Sequence, residues 1–120
     1  MELESLQTYL LNKKGTVKET PFGPQAYVYK VMNKMFALVA WDEDPIDLSL
    51  KCDPDLAITL RSLYEAIRPG YHLNKKHWNT ITLDGSVPDE EVFGMIDASY
   101  ALVVKGMTKA QRKALEGMGE

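Results

Sequence analysis

The residues best suited to chemistry lie in one short segment that follows a predicted helix end at Pro69-Gly70. Positions 69–80 read Pro-Gly-Tyr-His-Leu-Asn-Lys-Lys-His-Trp-Asn-Thr, and no Asp or Glu occurs from position 66 to 83. The whole chain is acidic, with 17 Asp and Glu against 14 Lys and Arg. Lysines raise the local positive potential where no carboxylate cancels it. This segment therefore predicts a site for an anionic partner, and we call residues 70–77 the basic loop.

The predicted site combines positive charge with stacking. Lys75 and Lys76 can hold a phosphate while Trp78 stacks on a base, as in proteins that bind single-stranded nucleic acid or a nucleotide. The alternative is a solvated lysine turn with Trp78 and Tyr71 in the core. The predicted nucleic-acid or anion-binding residues are Tyr71, His72, Asn74, Lys75, Lys76, His77, Trp78, Lys51 and Arg61.

The two histidines do not have the spacing of a metal site. His72 and His77 lie five residues apart in a loop, and no cysteine or well-placed carboxylate completes a ligand set. The neighbouring lysines oppose protonation and favour neutral, hydrogen-bonding imidazoles, either of which can serve as a general base. The chain has neither a GxSxG elbow nor a P-loop. We expect no metal and no cofactor, and the sequence favours a binding protein over an enzyme.

A second cluster of candidate residues precedes the basic loop in the chain. The turn formers at positions 21–24 predict a rigid loop that either presents Phe22 to a partner or places it in the core, and we favour the core. This cluster comprises Pro21, Phe22, Gly23, Lys30 and Lys34.

An acidic turn at positions 42–44 lies close to Asp47 in the sequence. It lacks the spaced oxygen ligands and the glycine of a calcium loop, so we predict a solvated turn.

Length and composition predict one globular domain over residues 1–120. The chain has 45% hydrophobic and 26% charged residues and a net charge of -3. Its apolar stretches are too short to span a bilayer, and its start lacks the positive region of a signal peptide. The single Cys52 fits a reducing compartment and predicts a buried or half-buried small side chain. We therefore expect a monomeric cytoplasmic protein with no membrane association.

The elements that hold these residues follow from hydrophobic periodicity. A first helix begins near Leu3 and stops before Gly15, and strand-forming residues fill positions 16–41 in three strands. The second and third strands are predicted to form a hairpin that turns at Asn33-Lys34. A fourth strand alternates Ile46, Leu48 and Leu50 with Asp47, Ser49 and Lys51. A second helix is capped by Asp53-Pro54 and runs to Pro69-Gly70, with an apolar face of Leu56, Ile58, Leu60, Leu63 and Ile67. A fifth strand covers 78–83, and helices begin near Val87 and Thr108. This order predicts an α+β fold in which a mainly antiparallel five-stranded sheet has its helices packed on one face.

Several of these segments together resemble one known family. They are Pro-Phe-Gly-Pro at 21–24, Tyr-Lys-Val at 29–31, Lys-Met-Phe-Ala at 34–37, the run 69–80, Ser-Tyr at 99–100 and Val-Lys-Gly at 104–106. The chain resembles the MmcQ/YjbR family over nearly its whole length. The resemblance implies a frataxin-like (CyaY-like) sandwich, a family label of DNA binding, and a meeting in space of the basic loop with the Phe22 cluster. It does not imply iron binding, because the first helix offers only Glu2 and Glu4 as acidic residues.

Three functional hypotheses from different classes remain open on the sequence. The first is a DNA-binding module without enzymatic activity, in which lysines contact phosphates and Trp78 contacts bases. The second is a protein or enzyme that binds an anionic metabolite through His72 and His77. The third is a protein-interaction adaptor that uses the helix-free sheet face and the Phe22 loop.

Overall fold

The computed structural model describes residues 1–70 and 73–118 of the chain. Within them, four helices and six strands follow one another. They are α1 (Leu3–Leu11), β1 (Thr16–Glu19), β2 (Tyr27–Val31), β3 (Lys34–Ala40), β4 (Asp47–Lys51), α2 (Pro54–Leu63), β5 (Ile67–Pro69), β6 (Trp78–Thr82), α3 (Asp89–Lys105) and α4 (Lys109–Glu116).

The six strands form a single antiparallel sheet in the order β1-β2-β3-β4-β6-β5. Helix α3 packs against the central strands β2, β3 and β4, α1 packs against β1, and α2 packs against β5 and β6. This arrangement confirms the predicted α+β sandwich with a mainly antiparallel sheet. Its opposite face carries no helix among the described residues, and we call it the helix-free face.

The predicted strand count of five was wrong, because β5 was assigned to the end of the second helix. Helix α2 ends at Leu63, and Ile67 is only 3% exposed and lies opposite Ile81 of β6. An apolar residue four positions after Leu63 extends a helical pattern equally well. A three-residue strand forms because it pairs with another strand, and the residues of β5 alone do not indicate that β6 is its partner.

The buried face predicted for α2 was also wrong. Leu56, Ile58 and Leu63 are 45%, 63% and 67% exposed, and Leu60 is half-buried. The small Ala57 is the residue of α2 that is fully buried. Helix α2 lies over β5 and β6 at the edge of the sheet. Only a narrow side of the helix contacts the sheet, so most of its apolar side chains are exposed to solvent.

A β-bulge in β3 and one serine of α3 fix the centre of the sandwich. The register pairs Tyr29 with Ala37 and Lys30 with Met35, so Phe36 is an extra residue, and both Phe36 and Ala37 are fully buried. The Ser99 hydroxyl donates to the Phe36 carbonyl oxygen at 2.6 Å and accepts from the Lys51 amide at 2.9 Å. Ser99 therefore satisfies backbone groups of two strands at once.

Local turn and cap chemistry follows the predictions. The Asp53 side chain accepts from the Asp55 and Leu56 amides at the start of α2. Thr108 and Gln111 form a capping box at the start of α4. The β2–β3 hairpin turns at Met32 and Asn33, which have positive φ values of 49° and 64°, as the right-handed twist of paired strands favours. In the described part of the chain, every helix is too short or too polar to cross a membrane.

Candidate functional site

The basic loop is held against the start of β6 by a glycine. The Gly70 amide donates to the Trp78 carbonyl oxygen at 2.8 Å. A Cβ atom at position 70 would lie 2.7 Å from the Trp78 Cβ and 3.1 Å from the Trp78 carbonyl oxygen. The backbones approach closely here because residue 70 has no side chain. Further along, the Asn74 side chain accepts from the Lys76 amide at 2.9 Å and closes a turn.

Arg61 joins the basic loop to α2. Its Nε donates to the Asn79 side-chain oxygen at 2.7 Å, and its Nη2 donates to the carbonyl oxygens of Lys75 and Trp78. The Asn79 amide nitrogen in turn donates to the Ala57 carbonyl oxygen at 3.3 Å. The Arg61 guanidinium thus hydrogen-bonds to backbone carbonyl oxygens of the basic loop and of β6. These contacts favour a structural role for Arg61 over a phosphate contact.

The predicted stacking residue is buried. Trp78 is 9% exposed, so its position favours the core-filling alternative for this side chain. His77 is half-buried, and its backbone carbonyl oxygen accepts from the Cys52 amide at 2.8 Å. Cys52 is half-buried as predicted, and burial raises the pKa of its thiol. Tyr71 and His72 lie outside the described residues.

The lysines of the site occupy different environments. Lys75 and Lys76 are exposed, and Lys75 Nζ donates to the Gly70 carbonyl oxygen at 3.2 Å. Lys51 is half-buried and lies opposite Trp78 in the sheet register. Lys34 is exposed at the start of β3, and Lys30 forms an ion pair with Glu19 at 2.9 Å.

The Phe22 loop presents its aromatic ring outward. Phe22 is 69% exposed, so the prediction that it fills the core was wrong. Gly23 has a φ of 105°, which lets the loop turn back, and Pro21 is exposed beside it. The Trp41 indole Nε1 donates to the Pro24 carbonyl oxygen at 2.7 Å and anchors the loop to the end of β3. The rigid proline turn therefore holds Phe22 in solvent.

A groove of about 630 Å³ lies on the helix-free face. We call it the open-face groove. Paired side chains of neighbouring strands share a face of the sheet, and the pairs Leu38–Ser49, Ser49–Thr80 and Thr80–Arg68 run across its floor. Its apolar lining residues are Phe22, Ala26, Leu38, Ala40 and Leu73.

Polar side chains are concentrated on the β4, β6 and β5 side of this groove. Arg68 Nη2 contacts Asp47 Oδ2 at 2.9 Å, and Arg68 Nη1 donates to the Thr82 hydroxyl at 2.6 Å. The Thr82 hydroxyl donates to Asp47 Oδ1 at 3.1 Å. The buried hydroxyls of Ser49 and Thr80 lie 2.7 Å apart on the floor. An apolar wall with a few fixed polar groups is the usual composition of a small-molecule site.

Of the predicted site residues that the structure describes, Phe22 lines the groove. Leu73 of the basic loop also lines it but was not among the predicted site residues. Among the described residues, the lysines of both clusters, His77 and Trp78 are not part of that lining.

Sequence reasoning missed Arg68, Thr80 and the site role of Asp47 and Ser49. A signal was available for the last two, because both lie on the polar side of the predicted fourth strand. Arg68 belonged to a segment that was assigned to helix α2, so its place in the sheet could not be seen.

Metal ligands are not grouped in the described part of the chain. No cluster of three or more His, Cys, Asp and Glu residues there could hold a metal ion. Asp47 is committed to Arg68 and Thr82, and the acidic turn at positions 42–44 is exposed. What the groove offers chemically is apolar contact, hydrogen bonding and the charges of Glu43, Asp47 and Arg68.

Sequence comparison identifies the family of this fold. A family model described as YjbR matches residues 11–102 of the chain. The chain belongs to the YjbR family. This membership confirms the resemblance to the MmcQ/YjbR family that the motifs indicated. The matched YjbR region includes the basic loop, the Phe22 loop and every lining residue of the groove named above.

Two relatives of known sequence and one of known structure match this chain over more than three quarters of its length. Uncharacterized protein YjbR of Escherichia coli K12 is 37% identical over 115 residues, which cover 96% of this chain and 98% of that protein. Uncharacterized protein YbdF of Escherichia coli O157:H7 is 34% identical over 93 residues, with 78% and 76% covered. The crystal structure of Deinococcus radiodurans protein DR2400, with a DUF419 domain, is similar with a TM-score of 0.89 and 42% identity over 95% of this chain and 87% of that one. The DR2400 structure has the same fold as this chain, and none of these three names states an activity.

Proposed function

We propose that this protein binds a small organic molecule in the open-face groove. The observation that carries the proposal is the groove itself, a cavity of about 630 Å³ between the Phe22 loop and Leu73. This volume lies within the range of roughly 300–1,000 Å³ that is usual for ligand sites. A partner protein would meet a flatter surface, so the concave shape favours a small ligand over an adaptor function.

The lining supports a ligand with an apolar body and a hydrogen-bonding end. Leu38 and Ala40 form an apolar floor on β3, and the exposed ring of Phe22 stands at the side. Across the groove, Asp47 and Arg68 are fixed by each other and by Thr82. Groups held in this way are already oriented before a ligand arrives, which lowers the entropic cost of binding.

The test is an NMR titration of the ¹⁵N-labelled protein with 2-phenylethanol, an uncharged probe with one ring and one hydroxyl. We expect saturable shifts of the Leu38, Ser49 and Thr80 amides, with a dissociation constant on the order of 1–10 mM for a fragment of this size. Shifts confined to other parts of the protein, or none at millimolar probe, would contradict the proposal.

A groove-filling variant provides the matched control. Ala40→Trp places a large side chain on the groove floor, and we expect it to abolish the shifts. Val17→Trp adds the same side chain to an exposed position of the edge strand β1, outside the groove lining, and should leave the titration unchanged. Equal binding by wild type and Ala40→Trp would show that the probe binds elsewhere.

DNA binding is the second candidate function, and the exposure of Lys75 and Lys76 supports it. In the described part of the chain neither lysine has an ion pair. The test is fluorescence anisotropy of labelled single- and double-stranded DNA at two salt concentrations, with Lys75→Ala/Lys76→Ala beside the wild type. We expect the variant to bind more weakly and with a smaller salt slope. An unchanged slope, or no binding at tens of micromolar protein, on the order of non-specific affinities, would count against this function.

A further inference from the structure

We infer that the ligand of the open-face groove is an organic cation, such as a primary amine attached to an aromatic or aliphatic body. This inference rests on the proposed function of the groove and adds the charge of the ligand to it. Three observations support it, namely the charge of the lining, the charge of the turn at the groove mouth and the position of Phe22.

The charged residues that line the groove do not balance. The lining contains the carboxylates of Glu43 and Asp47 and the guanidinium of Arg68. Arg68 is paired with Asp47 at 2.9 Å, and its other terminal nitrogen donates to Thr82. Glu43 is exposed and has no ion pair among the described residues. A carboxylate on the ligand would meet this excess negative charge, whereas an ammonium group would be attracted by it.

The turn that carries Glu43 strengthens the same field. Asp42 and Asp44 flank Glu43 and are exposed, and no described lysine or arginine pairs with either. Charges of one sign at the mouth of a cleft with apolar walls raise the local concentration of oppositely charged ligands. Among the described residues, the exposed lysines of the basic loop are not part of the groove lining.

Phe22 indicates that the cation is organic. Its ring is 69% exposed and lines the groove together with the Asp47–Arg68 ion pair. The face of an aromatic ring attracts a cation, and an apolar body gains from contact with Leu38 and Ala40. A bare metal ion would gain nothing from this apolar wall, and the described residues offer no group of three metal ligands.

The test compares three probes of nearly equal size: phenethylamine, 2-phenylethanol and 3-phenylpropanoate. We expect phenethylamine to bind about five- to tenfold more tightly than the alcohol, because a partly exposed charge pair and a cation–π contact each contribute modestly. The carboxylate should bind most weakly. Raising the salt concentration should reduce the difference between amine and alcohol.

A charge-neutralising pair of variants isolates the role of the groove mouth. Glu43→Gln should reduce the preference for phenethylamine over 2-phenylethanol by about threefold or more. Glu90→Gln removes the same charge from an exposed position on α3, which packs on the opposite side of the sheet, and should leave the preference unchanged. Tighter binding of the carboxylate, or equal binding of all three probes, would overturn this inference and leave the proposed function intact. Failure of all three probes to bind would overturn both.

Discussion

Arg61 and Asn79, 18 positions apart, form a 2.7 Å side-chain hydrogen bond that joins helix α2 to strand β6. The same guanidinium donates to two carbonyl oxygens of the adjoining segment, and Asn79 is 3% exposed. Removing a charged donor costs free energy when a partly buried acceptor such as the Asn79 side-chain oxygen loses its hydrogen bond. This pair therefore sets the position of the basic loop relative to the sheet.

Arg61→Ala is predicted to destabilise the protein by about 2–3 kcal/mol, because the Asn79 side-chain oxygen and the Lys75 carbonyl oxygen lose this donor and the Trp78 carbonyl oxygen keeps only the Gly70 amide. Arg61→Lys should recover only part of this loss, since an ammonium group cannot reproduce the planar arrangement of donors. Urea denaturation followed by circular dichroism measures the change. Arg112→Ala serves as the control, because Arg112 makes one exposed contact at 3.3 Å and should change stability by less than about 0.5 kcal/mol. Equal stability of the two alanine variants would contradict the role of Arg61.

Ser99→Ala is predicted to cost about 1–3 kcal/mol of unfolding free energy. The substitution leaves the Phe36 carbonyl oxygen and the Lys51 amide without their partner in the interior. The exposed Ser62 of α2 is the matched control, and Ser62→Ala should stay within about 0.5 kcal/mol of wild type. Thermal and urea unfolding of both variants check this prediction. An unchanged unfolding free energy of Ser99→Ala would show that the β-bulge does not depend on the two Ser99 hydrogen bonds.

Trp41→Phe is predicted to weaken probe binding while leaving the fold in place. The variant keeps an aromatic ring to stack on Tyr27 but removes the Nε1 donor to the Pro24 carbonyl oxygen, so the Phe22 loop loses its anchor. We expect a loss of about 0.5–1.5 kcal/mol in stability and several-fold weaker binding of 2-phenylethanol. Tyr27→Phe keeps the stacked ring and makes a useful comparison, because no described contact uses the Tyr27 hydroxyl. If both variants bind the probe equally well, the indole anchor has no role in the groove.

Acid is predicted to remove the stability that Asp97 contributes. Burial by itself would raise the pKa of the Asp97 carboxyl, but hydrogen bonds from Lys13 and Tyr9 outweigh burial and lower that pKa below its ordinary value. Because the folded pKa is the lower one, the contribution is present above the unfolded pKa of about 3.9 and is lost as the pH falls through the folded pKa. Asp97→Asn should therefore melt below wild type at pH 7, and the difference should vanish near pH 2. Melting temperatures of both proteins between pH 7 and pH 2 test this prediction. A difference in melting temperature that does not change with pH would contradict it.

Several residues that identify the family serve the fold rather than the groove. Asn79 completes the Arg61 contact, Ser99 bridges two strands, and the Tyr100 hydroxyl donates to the Lys14 carbonyl oxygen at 2.6 Å. Trp78 is buried beside Gly70. The motif at positions 69–80 thus marks a loop whose conformation depends on particular residues. It did not indicate which side chains line the groove.

The sequence by itself determined the class of fold and most of its elements. Alternation of polar and apolar residues predicted β4, the Asp53 and Thr108 caps predicted the starts of α2 and α4, and turn residues predicted the β2–β3 hairpin. These signals are local, since each depends on backbone preferences or on side chains within a few residues.

Only the tertiary structure decided where β5 pairs, which side of α2 is covered, and where a cavity forms. Ile67 is buried because β6 lies beside it, and Phe22 is exposed because Trp41 fixes its loop at the sheet end. The groove brings together Phe22, Asp47 and Arg68, which are far apart in the chain. Such long-range neighbours are set by strand order and register, and no local pattern of residue types specifies these.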